Sequence, residues 1–164
     1  MSVRFWLPLA ISSALSASAL ADEPAKVPAQ AAPAPAQLHV TCDFIEIGAT
    51  KSKTSSIDPK LGPIEKKLKK PPFSTQWTEY KQLTQATRQL EKKKTETIAL
   101  KQGSATATLV EIVDKSKARI TVTIDNAKGK QAVNQTSLLD AGDYIIHAVV
   151  LPNDDGHLLA VTCK

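Results

Sequence analysis

The phrase Val-Thr-Cys occurs twice, at Val40-Thr41-Cys42 and Val161-Thr162-Cys163, and these are the chain's two cysteines. Two cysteines in one domain pair when the compartment is oxidising. A Cys42–Cys163 disulfide would tie the first strand to the last, so those strands should be neighbours. Closing a loop of about 120 residues stabilises a fold by roughly 4–5 kcal/mol in the chain-entropy picture. Two other readings compete: a pair of free buried thiols, or a redox couple. A redox couple is usually a Cys-x-x-Cys at a helix N-terminus, whereas these cysteines lie far apart on strand-like segments.

The N-terminus supplies the compartment. Arg4 gives a positive start, Phe5 to Leu20 are rich in Ala, Leu and Ser, and Ala19-Leu20-Ala21 fits the small-x-small cleavage pattern. We read residues 1–21 as an export signal rather than an anchor. The stretch is only about 16 residues long and contains Pro8, whereas a span needs about 20 apolar residues. No cysteine follows the cleavage point, so no lipid-anchored form is expected. The mature chain has no further apolar run long enough to cross a bilayer. The expected location is periplasmic or secreted.

Residues 22–37, DEPAKVPAQAAPAPAQ, are dominated by proline and alanine. They lack a periodic apolar pattern and read as a disordered linker. Residues 38–164 then form one domain, long enough to bury a core without a cofactor.

Within it, Leu38 to Ile47 alternate as a strand and 48–57 read as a loop. Asp58-Pro59 is a helix start, with Asp as N-cap and Pro at the first position. Leu61, Ile64 and Leu68 fall on one arc of a short helix over about 59–70, which Pro71-Pro72 ends. Residues 73–91 fit either a helical stripe or strands; the abundance of threonine favours two strands, about 77–83 and 86–91. From Thr95 the pattern is β: 95–100, 105–113, 118–125, 131–138, 144–151 and 157–163, divided by turns, with Asp155-Gly156 as a hairpin signature. Short strands at this spacing predict a mainly β fold, an antiparallel β-sandwich or open barrel with one short α-helix.

Charge suggests a surface. The chain carries 21 basic and 16 acidic residues. Loss of Arg4 with the signal leaves 20 against 16, net +4. Lysines cluster at Lys66, Lys67, Lys69, Lys70 and at Lys92, Lys93, Lys94, with Phe73, Trp77 and Tyr80 between. If close in space, they form a candidate partner surface for an envelope protein or an anionic polymer. The alternatives are solvation and edge protection for the lysines, and a staple of helix onto sheet for Phe73 and Trp77. Nucleic acid is not expected, because stacking wants exposed aromatics.

Signs of catalysis are thin. There is no G-x-S-x-G elbow, P-loop, dinucleotide fingerprint or H-E-x-x-H, and neither a catalytic residue nor a cofactor is expected. His147 sits in an apolar run and reads as a core histidine. His39 and His157 lie on the terminal strands; if they met, with Asp154 or Asp155 they could bind a metal.

The export signal, the linker and the segment Leu61-x-x-Ile64-x-x-x-Leu68-x-x-Pro71-Pro72-Phe73 followed by strands resemble a group of uncharacterised small exported bacterial β-rich proteins. The resemblance implies a bacterial extracytoplasmic setting and carries no site residue. The leading expectation is a non-catalytic binding or envelope-associated domain. An accessory subunit of a secretion or surface assembly comes next, docking through a sheet edge. A small metal-dependent hydrolase is third.

Overall fold

The computed structural model describes residues 39–164. The expected signal (1–21), the linker (22–37) and Leu38 lie outside the described residues. Nine strands form two sheets: β1 (His39–Thr50), β2 (Ser56–Ile57), β3 (Glu79–Glu91), β4 (Thr95–Leu100), β5 (Gly103–Asp114), β6 (Lys117–Asn126), β7 (Gln131–Asp140), β8 (Ile145–Val150) and β9 (Gly156–Cys163). The first sheet has the order β2-β3-β1-β9-β8 and the second β4-β5-β6-β7. Every pairing is antiparallel except the two-residue β2–β3 pairing, which makes the first sheet mixed. The fold is an open two-sheet β structure with one short helical segment.

Side-chain alternation along the central strands builds two cores. Cys42 and Phe44 of β1, with Leu159 and Val161 of β9, point into the space between the sheets, where Ile98, Leu109, Ile120 and Ile124 meet them. Ile45, Ile47 and Ala49, with Leu158 and Ala160, point the other way, against Leu61, Ile64 and Leu68. Both faces of β1 and β9 are therefore covered. This is why the strict polar–apolar period fails after Phe44, and why β9 is buried along its whole length.

The expected short helix is present over Pro59–Leu68, most of it as a 3₁₀ turn. Asp58 caps it by accepting the Lys60 N–H at 3.0 Å. A 3₁₀ turn covers Pro59–Ile64, where Gly62 and Pro63 disfavour an α-helix, and α1 (Glu65–Leu68) completes it. A single turn, α2 (Phe73–Gln76), follows.

Two expectations are corrected. The pair of strands at 77–83 and 86–91 is one strand, β3, and a bulge at Leu83 absorbs the break in period: Glu46 faces Thr84 while Ile47 faces Gln82. Part of the 48–57 loop is strand, because β1 runs to Thr50 and Ser56–Ile57 pair with β3.

Cys42 and Cys163 form the disulfide, facing each other across β1 and β9 with a Cα–Cα distance of 4.0 Å. Thr41 and Lys164 beside them exchange both backbone hydrogen bonds. The cysteines thus occupy a non-hydrogen-bonded pair, the closer kind.

Candidate ligand site at the open end

β1 and β9 run from the disulfide to an opposite end, where the inter-sheet face turns polar. Glu46 follows Phe44 on that face and is fully buried. Its carboxylate accepts the backbone N–H groups of Lys101 and Gln102, at 2.8 and 2.9 Å, and is 3.0 Å from His157 Nε2. A side chain of the first sheet thereby fixes the β4–β5 turn of the second. Burial pushes the Glu46 pKa up, but the hydrogen bonds from His157, Lys101 and Gln102 outweigh it and hold the group below its ordinary value.

His147 lies on β8 in the same row as Leu159 and Glu46. It is buried, and desolvation lowers its pKa. Its Nδ1 is 3.2 Å from Gln135 Oε1 of β7, a side-chain link between the facing edge strands of the two sheets.

β7 runs towards the disulfide end and β8 away from it. The start of β7 and the end of β8 therefore flank the opposite end, and a cavity of about 390 Å³ lies between them. Ile124, Val149, Leu151 and Pro152 are among its apolar walls; Gln102 and His157 also line it, with Lys101 and Lys128. Both lysines are exposed, and neither takes part in an ion pair among the described residues. Gln102 Oε1 is buried without a hydrogen-bond partner. A smaller cavity of about 150 Å³, lined by His39, Ile112 and Lys115 among others, lies at the disulfide end.

Of the residues singled out from sequence, Trp77 and Tyr80 are core residues, buried beneath the helical segment. Trp77 Nε1–H donates to Asp154 O at 2.9 Å, and its ring lies where a Cβ on Gly156 would approach within 2.7 Å. That contact explains a glycine inside β9. Tyr80 O–H donates to Trp77 O, and burial pushes its pKa up to about 12. Phe73 is partly buried against the same core.

Lys66, Lys67, Lys69 and Lys70 lie on α1 and just after it; Lys67 pairs with Asp143 and Lys69 with Glu65. Lys92, Lys93 and Lys94 carry the chain from β3 to β4, and Lys94 pairs with Glu91 and Glu96. Each cluster is neutralised in part by its own neighbours.

The premise of a His39–His157 site is corrected. His157 faces Gly48, while His39 lies beyond Cys42 at the other end of β1. Nine residues of strand hold them about 30 Å apart. Among the described residues no group of three or more His, Cys, Asp or Glu converges on one point. Nor is any helix among them long and apolar enough to cross a membrane.

Sequence reasoning did not assemble the open end. One signal was present: Glu46 interrupts the apolar run Phe44-Ile45-Glu46-Ile47, a carboxylate where a two-faced core strand calls for an apolar side chain. No family model, curated protein or solved structure matches the chain.

Proposed function

We propose that this chain is an exported, non-catalytic binding domain whose ligand enters the open end of the sandwich. The observation that carries this reading is the 390 Å³ cavity, apolar along most of its walls, with two lysines among its lining residues. Ligand pockets fall in the range of roughly 300–1,000 Å³, with apolar walls and a few polar groups that orient the guest. The buried carboxylate nearby, Glu46, has its oxygens engaged by three donors and no exposure. Such a group fixes a turn and is poorly placed to take a proton from a guest. The disulfide suits an oxidising compartment.

A second reading, docking to an envelope assembly, draws on β8. This edge strand, Ile145–Val150, carries no lysine, proline or bulge, and Val150 is 59% exposed. Edges are normally guarded by such devices, and a bare one can accept a strand from a partner.

One experiment addresses both. In amide-resolved NMR, a decyl-chain ligand should shift Ile124, Ala132 and Val149, and Ala132→Trp should abolish those shifts by filling the cavity. Shifts that persist in Ala132→Trp would overturn the open-end reading. Slowed exchange of the β8 amides with a partner present, without change at Ile124, would favour strand addition.

A further inference from the structure

Resting on that reading, the geometry points to the chemistry of the ligand: we infer that the open end takes a single-chain amphiphile with an anionic headgroup. The tail would lie between Ile124 and the β8 end, against Val149, Leu151 and Pro152. Those walls offer no hydrogen bond to water, so an alkyl chain replaces solvent favourably. At about 30 Å³ per water the cavity equals roughly a dozen waters. A methylene is of similar bulk, which suits a chain of about ten carbons with its headgroup.

The sign of the headgroup follows from the lining. Lys101 and Lys128 are its two lysines, and none of the lining residues is acidic. Glu46 lies outside the lining, with its oxygens turned to His157 and the two turn amides. An incoming anion therefore meets two ammonium groups that are free of ion pairs among the described residues, while a cation meets only like charge.

Gln102 adds a finer preference. Its Oε1 is a buried acceptor without a partner, and an acceptor in that state gains from any donor brought to it. A ligand with an amide N–H beside its anionic group, such as an N-acyl amino acid, supplies one.

The test is calorimetric titration of the disulfide-bonded domain with decanoate, N-decanoylglycine, decyl maltoside and decyltrimethylammonium, each below its micelle concentration. Decanoate should bind at least tenfold more tightly than the ammonium. Shortening it to octanoate should weaken binding roughly 15-fold, at about 0.8 kcal/mol per methylene. Lys101→Glu with Lys128→Glu should cost decanoate about tenfold and leave decyl maltoside unchanged. N-decanoylglycine should exceed decanoate about fivefold and lose that margin in Gln102→Met; equal binding of the two acids would remove the donor preference.

Equal binding of the anionic, neutral and cationic chains, each abolished by Ala132→Trp, would overturn the anionic assignment while keeping the site. Absence of binding by every chain, or binding indifferent to Ala132→Trp, would overturn the site itself.

Discussion

The two halves of the β1–β9 pair are held by different physics. Towards the disulfide, the inter-sheet face is Val40, Cys42 and Phe44 against Val161 and Cys163, an apolar surface closed by a covalent bond. Towards the open end, it carries Glu46 and His157, with His147 alongside on β8. Apolar contact is non-directional, and that half packs closely, leaving a cavity of about 150 Å³. Buried polar groups need partners at set distances and angles. The half that contains them is also the half where β7 and β8 flank the larger cavity. The contrast predicts that the first half answers to redox conditions and the second to pH and ligand.

The strongest way to break the contrast is at the bond. Cys42→Ala with Cys163→Ala, or reduction, should lower stability by about 4–5 kcal/mol in denaturant unfolding, because the closed loop spans nearly the whole domain. A loss under about 1 kcal/mol would mean that strand pairing alone holds the termini, since that is far below the loop-closure value.

The open end breaks differently. Glu46→Leu leaves His157 and the Lys101 and Gln102 amides without their acceptor. It should cost about 3 kcal/mol, in the range for stripping one partner from a buried pair. Adding His157→Leu should cost much less than His157→Leu does alone, because the two side chains are coupled. Strict additivity in this cycle would show that Glu46 and His157 do not act as a unit.

How much of this was legible follows from how local each signal is. The disulfide and the strands after Thr95 could be read because period-2 alternation, turn residues and a repeated Val-Thr-Cys all act over a few residues. The segment around Trp77 and Tyr80 is ambiguous because Trp77, Tyr80, Leu83, Thr87 and Leu90 fit a helical stripe, while Thr78, Tyr80 and Gln82 fit one face of a strand. The structure divides them: Trp77 caps the C-terminus of α2 and Tyr80 belongs to β3. The apolar doubling at Ile45 and Ile47 looked like lost alternation, because the segment that covers their second face is contributed by Leu61, Ile64 and Leu68, which are separate in sequence. The cavity has no local trace. Lys101, Ile124, Ala132 and Val149 come from four strands or turns, and only the relative course of β7 and β8 brings them together.

Acid gives the gentlest test, and the most selective. His147 has a pKa below its ordinary 6.5 because burial disfavours its charged form. In the unfolded chain it returns to about 6.5, so there the unfolded state binds the proton first. Its contribution is whole above that pH and is lost as the pH falls towards the folded value. Glu46 has its pKa held below 4.5, so its contribution is present above 4.5 and is lost only as the pH drops through its own folded value. Between pH 7 and 5, then, the wild type should lose stability through His147, and His147→Phe should flatten that slope, since its partner Gln135 is exposed and can turn to water. A slope unchanged in His147→Phe would assign the acid sensitivity to other groups. The same slope should appear with the disulfide intact or reduced. His147 of β8 faces Leu159 of β9, which is four residues from Cys163 along that strand, and changes at separate sites without shared partners add. A slope that steepens on reduction would show that the covalent end is restraining the polar one, and the two halves would then be a single mechanical unit.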